Sequence, residues 1–298
     1  MRSRWITAWV LALASCGSPR SPSAPASAKP ELLSPADLLP NDLDFVIRID
    51  SERVGQIPVF AEAARELAKT NTSPLLRAVA PAVGGSSAIF VGGRLMADGF
   101  RGDGVVAIEQ GVSADDKRQA APVGPAFRPL ADSPPHTSVF ERPAAERDEP
   151  VLEVVLETRG LVLATPAEAD AVLRVLRAGP DRDRLVPPVR GLVSFAGKVR
   201  GTRGPAGLSS VWQGLADGLV QYMGSVEADD AFRVEADLTY ASAAQAESAV
   251  KAASGKVERL GLFGPAFRSM ADSVRLTQNG QAIRVRATVP FAIVATLH

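Results

Sequence analysis

Two ten-residue segments of this chain are nearly the same. Gly-Pro-Ala-Phe-Arg-Pro-Leu-Ala-Asp-Ser starts at Gly124, and Gly-Pro-Ala-Phe-Arg-Ser-Met-Ala-Asp-Ser starts at Gly264. Such a repeat has three readings: a fold unit used twice, a binding site used twice, or a coincidence in a chain rich in Ala, Pro, Arg and Gly. The elements predicted around each copy bear on the choice.

In the first half, Asp44 to Asp50 alternates as a strand with Phe45, Ile47 and Ile49 inward. Pro58 opens a helix with a stripe of Phe60, Ala63, Ala64 and Leu67, and Ser73-Pro74 opens another. Strands follow at Ser87 to Val91, Gly104 to Glu109 and Thr137 to Glu141, then a hairpin of Leu152 to Glu157 with Gly160 to Ala164. Thr165-Pro166-Ala167-Glu168 reads as a capping box, and Gly179-Pro180 ends that helix. After a Pro-rich linker the order restarts. Gly191 to Val199 is a strand, and Val211, Trp212, Leu215, Leu219 and Tyr222 space as a helix. Ser225 to Ala228 pairs with Phe232 to Tyr240, whose even positions are apolar and odd positions polar. Ser242 caps a long helix, and Asn279-Gly280 turns a final hairpin. In each half the repeat precedes the late hairpin. This order favours duplication of a fold unit. Gly-Pro halts what comes before, Phe127 and Phe267 plug the core, and Arg128 and Arg268 stay solvated. The expected class is α+β: two related halves of antiparallel sheet covered by helices.

The amino terminus carries a different message. Arg2 and Arg4 precede a nine-residue apolar run, Trp5 to Leu13, too short for the roughly 20 residues of a membrane-spanning helix. The run ends in Leu13-Ala14-Ser15-Cys16, and Cys16 is the single cysteine of the chain. This segment resembles the lipobox of bacterial lipoprotein precursors. The resemblance implies thioether lipidation of Cys16, cleavage before it by the signal peptidase for lipoproteins, and palmitate-type acylation of the new amine. Because Gly17 follows and not Asp, the resemblance implies the outer membrane. From Ser18 to Pro30, eleven of thirteen residues are Ser, Pro or Ala, which cannot form a core and reads as a tether. The organisation expected is therefore a signal peptide at 1–15, the lipidated Cys and tether at 16–34, a first half at 35–180 and a second at 181–298. The body loosely resembles uncharacterised two-half bacterial envelope proteins.

Chemistry is sparse. Net charge is zero from 33 basic and 33 acidic residues, without a basic run, so nucleic acid is not an expected partner. One Cys and two His argue against disulfides, metal clusters and cofactors. No Gly-x-Ser-x-Gly elbow occurs; Gly84-Gly85-Ser86-Ser87 reads as a helix-to-strand turn. Gly191 to Lys198 has the wrong spacing for a phosphate loop and reads as a strand, and the Gly-rich run 201–207 lacks dinucleotide context. His136 sits in a loop, and Asp42, Asp44 and Asp50, or Asp229 and Asp230, read as solvated strand ends and a turn. Arg275, Arg284 and Arg286 share the last hairpin and form the candidate binding face, for lipid headgroups, a glycan or an acidic envelope protein. The apolar tail Phe291 to Leu297 packs on the core or docks a partner. The function expected is non-enzymatic binding or scaffolding, with no catalytic residues assigned. The alternatives are an envelope hydrolase, or a lipid or small-molecule carrier with a cleft between the halves.

Overall fold

The alternating run Phe232–Tyr240 is a strand, and it sits within one sheet that organises the whole body. The computed structural model describes residues 33–58, 60, 62, 74–79, 82–94, 104–109, 127–131, 133–144, 149–157, 159–180, 182–199, 215–291 and 293. The expected lipidation site and all of the tether but Leu33 and Ser34 lie outside these, as do the stripe at Ala63, Ala64 and Leu67, the run 201–207, Val211, Trp212 and the tail beyond Ile293. Residues Leu33–His298 belong to one unit.

Twelve strands are described. They are β1 (Phe45–Asp50), β2 (Ala88–Gly93), β3 (Gly104–Glu109), β4 (Arg128–Pro129), β5 (Thr137–Glu141), β6 (Leu152–Leu156), β7 (Gly160–Ala164), β8 (Val193–Lys198), β9 (Leu219–Ala228), β10 (Phe232–Tyr240), β11 (Arg275–Asn279) and β12 (Ala282–Val289). They form a single sheet in the order β11-β12-β10-β9-β8-β1-β2-β3-β7-β6-β5-β4, with antiparallel pairing throughout. The fold is α+β.

The sheet has the same plan on either side of the β8/β1 seam. Outward on one side run β1, β2 and β3, then β7 against β3 with β6 beyond it. Outward on the other run β8, β9 and β10, then β12 against β10 with β11 beyond it. Only β4 and β5 have no counterpart. The seam itself is antiparallel, from Phe45↔Gly197 to Ile49↔Val193. This correspondence supports the duplicated-unit reading. The repeated decapeptide does not keep one shape, however. In the first copy Arg128–Pro129 is β4, paired with Phe140 and Glu141. In the second, Pro265–Ser273 is a helix with Pro at its first position and Gly264 before it at φ 125°. The described parts of the two copies share a place in the order of elements, before the late hairpin, but neither a place in the sheet nor a geometry, which removes the twice-used-site reading. The core-plug expectation is corrected too. Phe127 lies half-buried under the Arg142 guanidinium, 4.8 Å from the ring centre. Phe267 is half-buried, its ring 6.1 Å from that of the exposed Phe263, on a helix with no fully buried residue.

The described helices are α1 (Ser51–Gln56), α2 (Pro74–Val79), α3 (Pro166–Ala178), α4 (Ala243–Leu260) and α5 (Pro265–Ser273), with 3-10 turns at Pro35–Leu38 and Gly261–Phe263. They cover the two halves unequally. In the first half both sheet faces are dry. One packs Val46, Phe90, Ala107, Val162 and Val154 against α3 and the Pro35–Leu38 turn; the other packs Ile89, Val91, Val106, Ile108 and Leu163 against α2. In the second half only one face is dry. There Leu238, Tyr240, Ile283 and Val285 meet Ala246, Ala249 and Val250 of α4. The other face of that half presents Arg, Asp, Glu and Ser.

Four local expectations change. In β1 the fully buried residue is Val46, not its neighbours Phe45 and Ile47, because a mid-sheet strand of the first half packs on both faces. Leu219 and Tyr222 lie in β9, not in a helix, because the ten-residue β9 pairs with the nine residues of β10 and strand pairing overrides an ambiguous spacing. Thr165 makes no side-chain cap; its hydroxyl accepts from Gly104 N at 3.0 Å, tying α3 to β3. The last hairpin closes Asn279↔Ala282, so its loop is Gly280-Gln281. Gly280 at φ 59° then takes the first central position that a type II′ turn reserves for Gly.

Candidate functional site

The wet face of the second half holds the three arginines singled out from sequence. Cross-strand register places Arg275 opposite Arg286, and Arg286 opposite Glu235; one step on, Thr277, Arg284 and Asp237 align. Arg284 Nε donates to Asp237 Oδ1 at 2.8 Å, and Arg286 Nε lies 3.0 Å from Glu235 Oε1. Arg190 reaches the other oxygen of Glu235 at 3.6 Å. Arg275 turns away and donates to the carbonyls of Asp272 (2.6 Å) and Val274 (2.9 Å) at the end of α5. The pattern continues across the face. Arg53 forms a two-pronged pair with Glu227, and Arg233 binds Asp229 and Asp230, each at 2.7 Å. The Arg53 hydrogen bond holds Glu227 below the usual carboxylate range, and Glu227 in turn raises Arg53. Asp237 likewise raises Arg284. The hairpin thus brings Arg284 and Arg286 together as expected, each with a carboxylate on β10. Asp229 and Asp230 form the β9–β10 turn and clamp Arg233.

A second surface was not legible as a site. Between α4 and α5 the chain makes the Gly261–Phe263 turn, and its two apolar side chains point outward: Leu262 is 82% exposed and Phe263 72%. Beside them is an open depression of about 570 Å³, lined by Leu262, Pro265, Arg268, Ser269 and Asp272 among others. The second copy of the repeat forms most of this lining. Single exposed apolar residues are ordinary on protein surfaces; an adjacent Leu–Phe pair at a helix corner is the less usual feature. The sequence signal was present, as Leu-Phe directly before Gly-Pro.

Elsewhere the chemistry is structural. Arg94 bridges Glu168 (2.5 Å and 3.1 Å) and Asp42 (2.8 Å), with Glu168 fully buried at the start of α3. Glu168 chiefly, with Asp42, raises the Arg94 guanidinium. Burial pushes Asp42 upward, but the Arg94 hydrogen bond and charge outweigh this and hold it low. His136, at φ 62°, pairs through Nδ1 with Glu157 at 3.0 Å in an exposed turn. The Gly84–Ser87 segment is a turn before β2, fixed by Ser51 and Ser86 hydroxyls on Ala82 O. Residues Val193–Lys198 are β8, as expected. Among the described residues no three His, Cys, Asp or Glu gather as a metal site, and no helix is long and apolar enough to cross a membrane. The halves meet along hydrogen-bonded β1 and β8, so their described junction is a continuous sheet and not a cleft.

No protein-family model matches the chain, and no curated protein does. Solved structures do. Crystal form I of TP0453 aligns over 89% of this chain and 96% of its own, with a TM-score of 0.52 and 9% identity. Crystal form III aligns over 89% and 97%, with a TM-score of 0.49 and 10% identity. At this identity the first match is a likeness of fold.

Proposed function

We propose that this chain is a lipid-anchored protein of the bacterial cell envelope, with a binding or scaffolding role. The observation that carries the reading is Cys16: the only thiol of the chain stands at the one place where a lipobox requires it. Two or more acyl chains anchor stably where one would not. The Ser/Pro/Ala-rich tether then holds the body off the membrane, on the outer membrane given Gly17. The body suits binding better than turnover. Its arginine face is paired with carboxylates, and Leu262 and Phe263 offer apolar surface to an envelope protein.

The test is metabolic labelling of the full chain with palmitate in a bacterial host, followed by membrane fractionation. Label in the outer-membrane fraction, lost in Cys16→Ser, is the expected result. An unlabelled, freely soluble chain sinks the anchor. A photo-crosslinker replacing Phe263 then reports the binding role: one defined protein adduct supports it, and no adduct in envelopes removes that corner as the docking surface.

A further inference from the structure

The two ends of the sheet are built differently. One end is β4, two residues long, with Pro129 unable to donate a backbone hydrogen bond. The other is β11, five residues without a proline or a bulge. Open strand edges invite pairing, and proteins block them with Pro, inward charge, bulges or shortness. The single charge on β11 belongs to Arg275, and its guanidinium is folded back onto the end of α5.

The hairpin fixes which groups face outward. In a two-residue loop the closing pair, Asn279↔Ala282, exchanges both backbone bonds, and bonded pairs then alternate along the ladder. Thr277 and Arg275 therefore bond inward to Arg284 and Arg286. The N–H and C=O groups of Leu276 and Gln278 point to the free edge.

We propose that β11 is a docking edge for a second copy of this chain, paired antiparallel about a two-fold axis at Thr277. The strand is self-complementary in this register. Leu276 bonds to Gln278 of the second copy and Gln278 to Leu276 of the second copy, giving about four backbone hydrogen bonds. Thr277 faces Thr277, a favoured cross-strand pair, and Arg275 faces Asn279, so no like charges oppose. All five residues are used, and the sheet continues from one molecule into the next.

The register makes a sharp test possible. Thr277 meets its symmetry mate as a non-hydrogen-bonded pair with Cα atoms about 4.5 Å apart, within disulfide range. Asn279 lies four residues from its own mate, about 13 Å along the strand and out of range. The full chain in detergent, carrying Thr277→Cys or Asn279→Cys, is oxidised with diamide and run on a non-reducing gel, with the unmodified chain as the control for Cys16. The expected result is a disulfide-linked dimer from Thr277→Cys alone. Native mass spectrometry of the unmodified chain should show dimer, reduced to monomer by Thr277→Lys, which sets two cations face to face. Thr277 is exposed, so neither change opens a cavity, and because Thr277→Lys also faces Arg284 of its own chain, circular dichroism of each variant is the check that the monomer stays folded. Equal cross-linking at both positions, no cross-linking at Thr277→Cys, a monomeric unmodified chain, or a dimer indifferent to Thr277→Lys would each overturn the proposal.

Discussion

Arg94→Met is the perturbation that tests the first half most directly. Arg94 spans β2 and α3: its guanidinium holds both oxygens of Glu168 and reaches the carboxylate and carbonyl of Asp42. Glu168 has no solvent access, whereas the Arg94 side chain is 29% exposed. Removing one partner of a buried pair costs about 3–5 kcal/mol, because the survivor is left charged and unpaired. The partial exposure of Arg94 and the place of Glu168 in the first turn of α3, where a helix favours negative charge, put the expected loss near the lower end, about 3 kcal/mol. For a body of this size, 1 kcal/mol moves the melting temperature by about 2–4 °C, so the expected drop is about 6–12 °C. Glu168→Gln leaves Arg94 with Asp42 and should cost less. The double variant should be more stable than the sum of the single losses predicts, since no buried charge remains. Thermal and urea unfolding followed by circular dichroism measure all four proteins. If Arg94→Met costs under about 1 kcal/mol, or if the two losses simply add, the buried-charge argument is wrong.

Two further outcomes are expected. The chain has only two tyrosines, and burial raises both: Tyr222, with Asp44 adding to it, and Tyr240 up to about 12. Absorbance titration should therefore show no phenol ionising at the ordinary value near 10 until the protein unfolds, and normal titration in guanidinium. The neutral form is the one stabilised, so this contribution is complete below pH 10 and disappears as pH rises through the folded values; a phenol titrating normally in the native protein contradicts it. Gly224→Ala should destabilise by roughly 1–3 kcal/mol, because a Cβ there would lie 2.4 Å from Glu235 O and 2.7 Å from the Phe195 ring; unchanged urea unfolding would contradict the close packing of β9 on β10.

The elements legible in sequence were those whose pattern answers to one partner. β10 alternates because its two sides face different media, helix on one and water on the other, and its polar positions were read correctly. The β6–β7 hairpin and α3 announced themselves by spacing and by Gly179, at φ 88°. What failed depended on distant chain. Thr165 and Glu168 have the letters of a capping box, yet β3 takes the hydroxyl and Arg94 takes the carboxylate, and neither partner is a sequence neighbour. The Pro35–Leu38 turn was missed although Ser34 and Asp37 form a true box there and Leu38, Leu39 and Leu43 are buried. Its cap, Ser34, was read as the end of the tether, and no element was expected between it and Asp44. Of the candidate face, the positions of Arg284 and Arg286 followed from alternation, but their carboxylate partners required the β10–β12 register.

The β1–β8 seam also sets an order of events. Strand β1 is among the first elements of the body to be synthesised, yet its second neighbour arrives only after the whole of the first half has been made. Until then β1 is an unsatisfied edge of the first-half sheet, and the distance along the chain makes its closure slow. The first half, dry on both faces, is equipped to wait. The second half, with a small core of its own, condenses on that waiting edge as on a template. A chain interrupted after β7 would therefore present an adhesive half-sheet with β1 as its open edge.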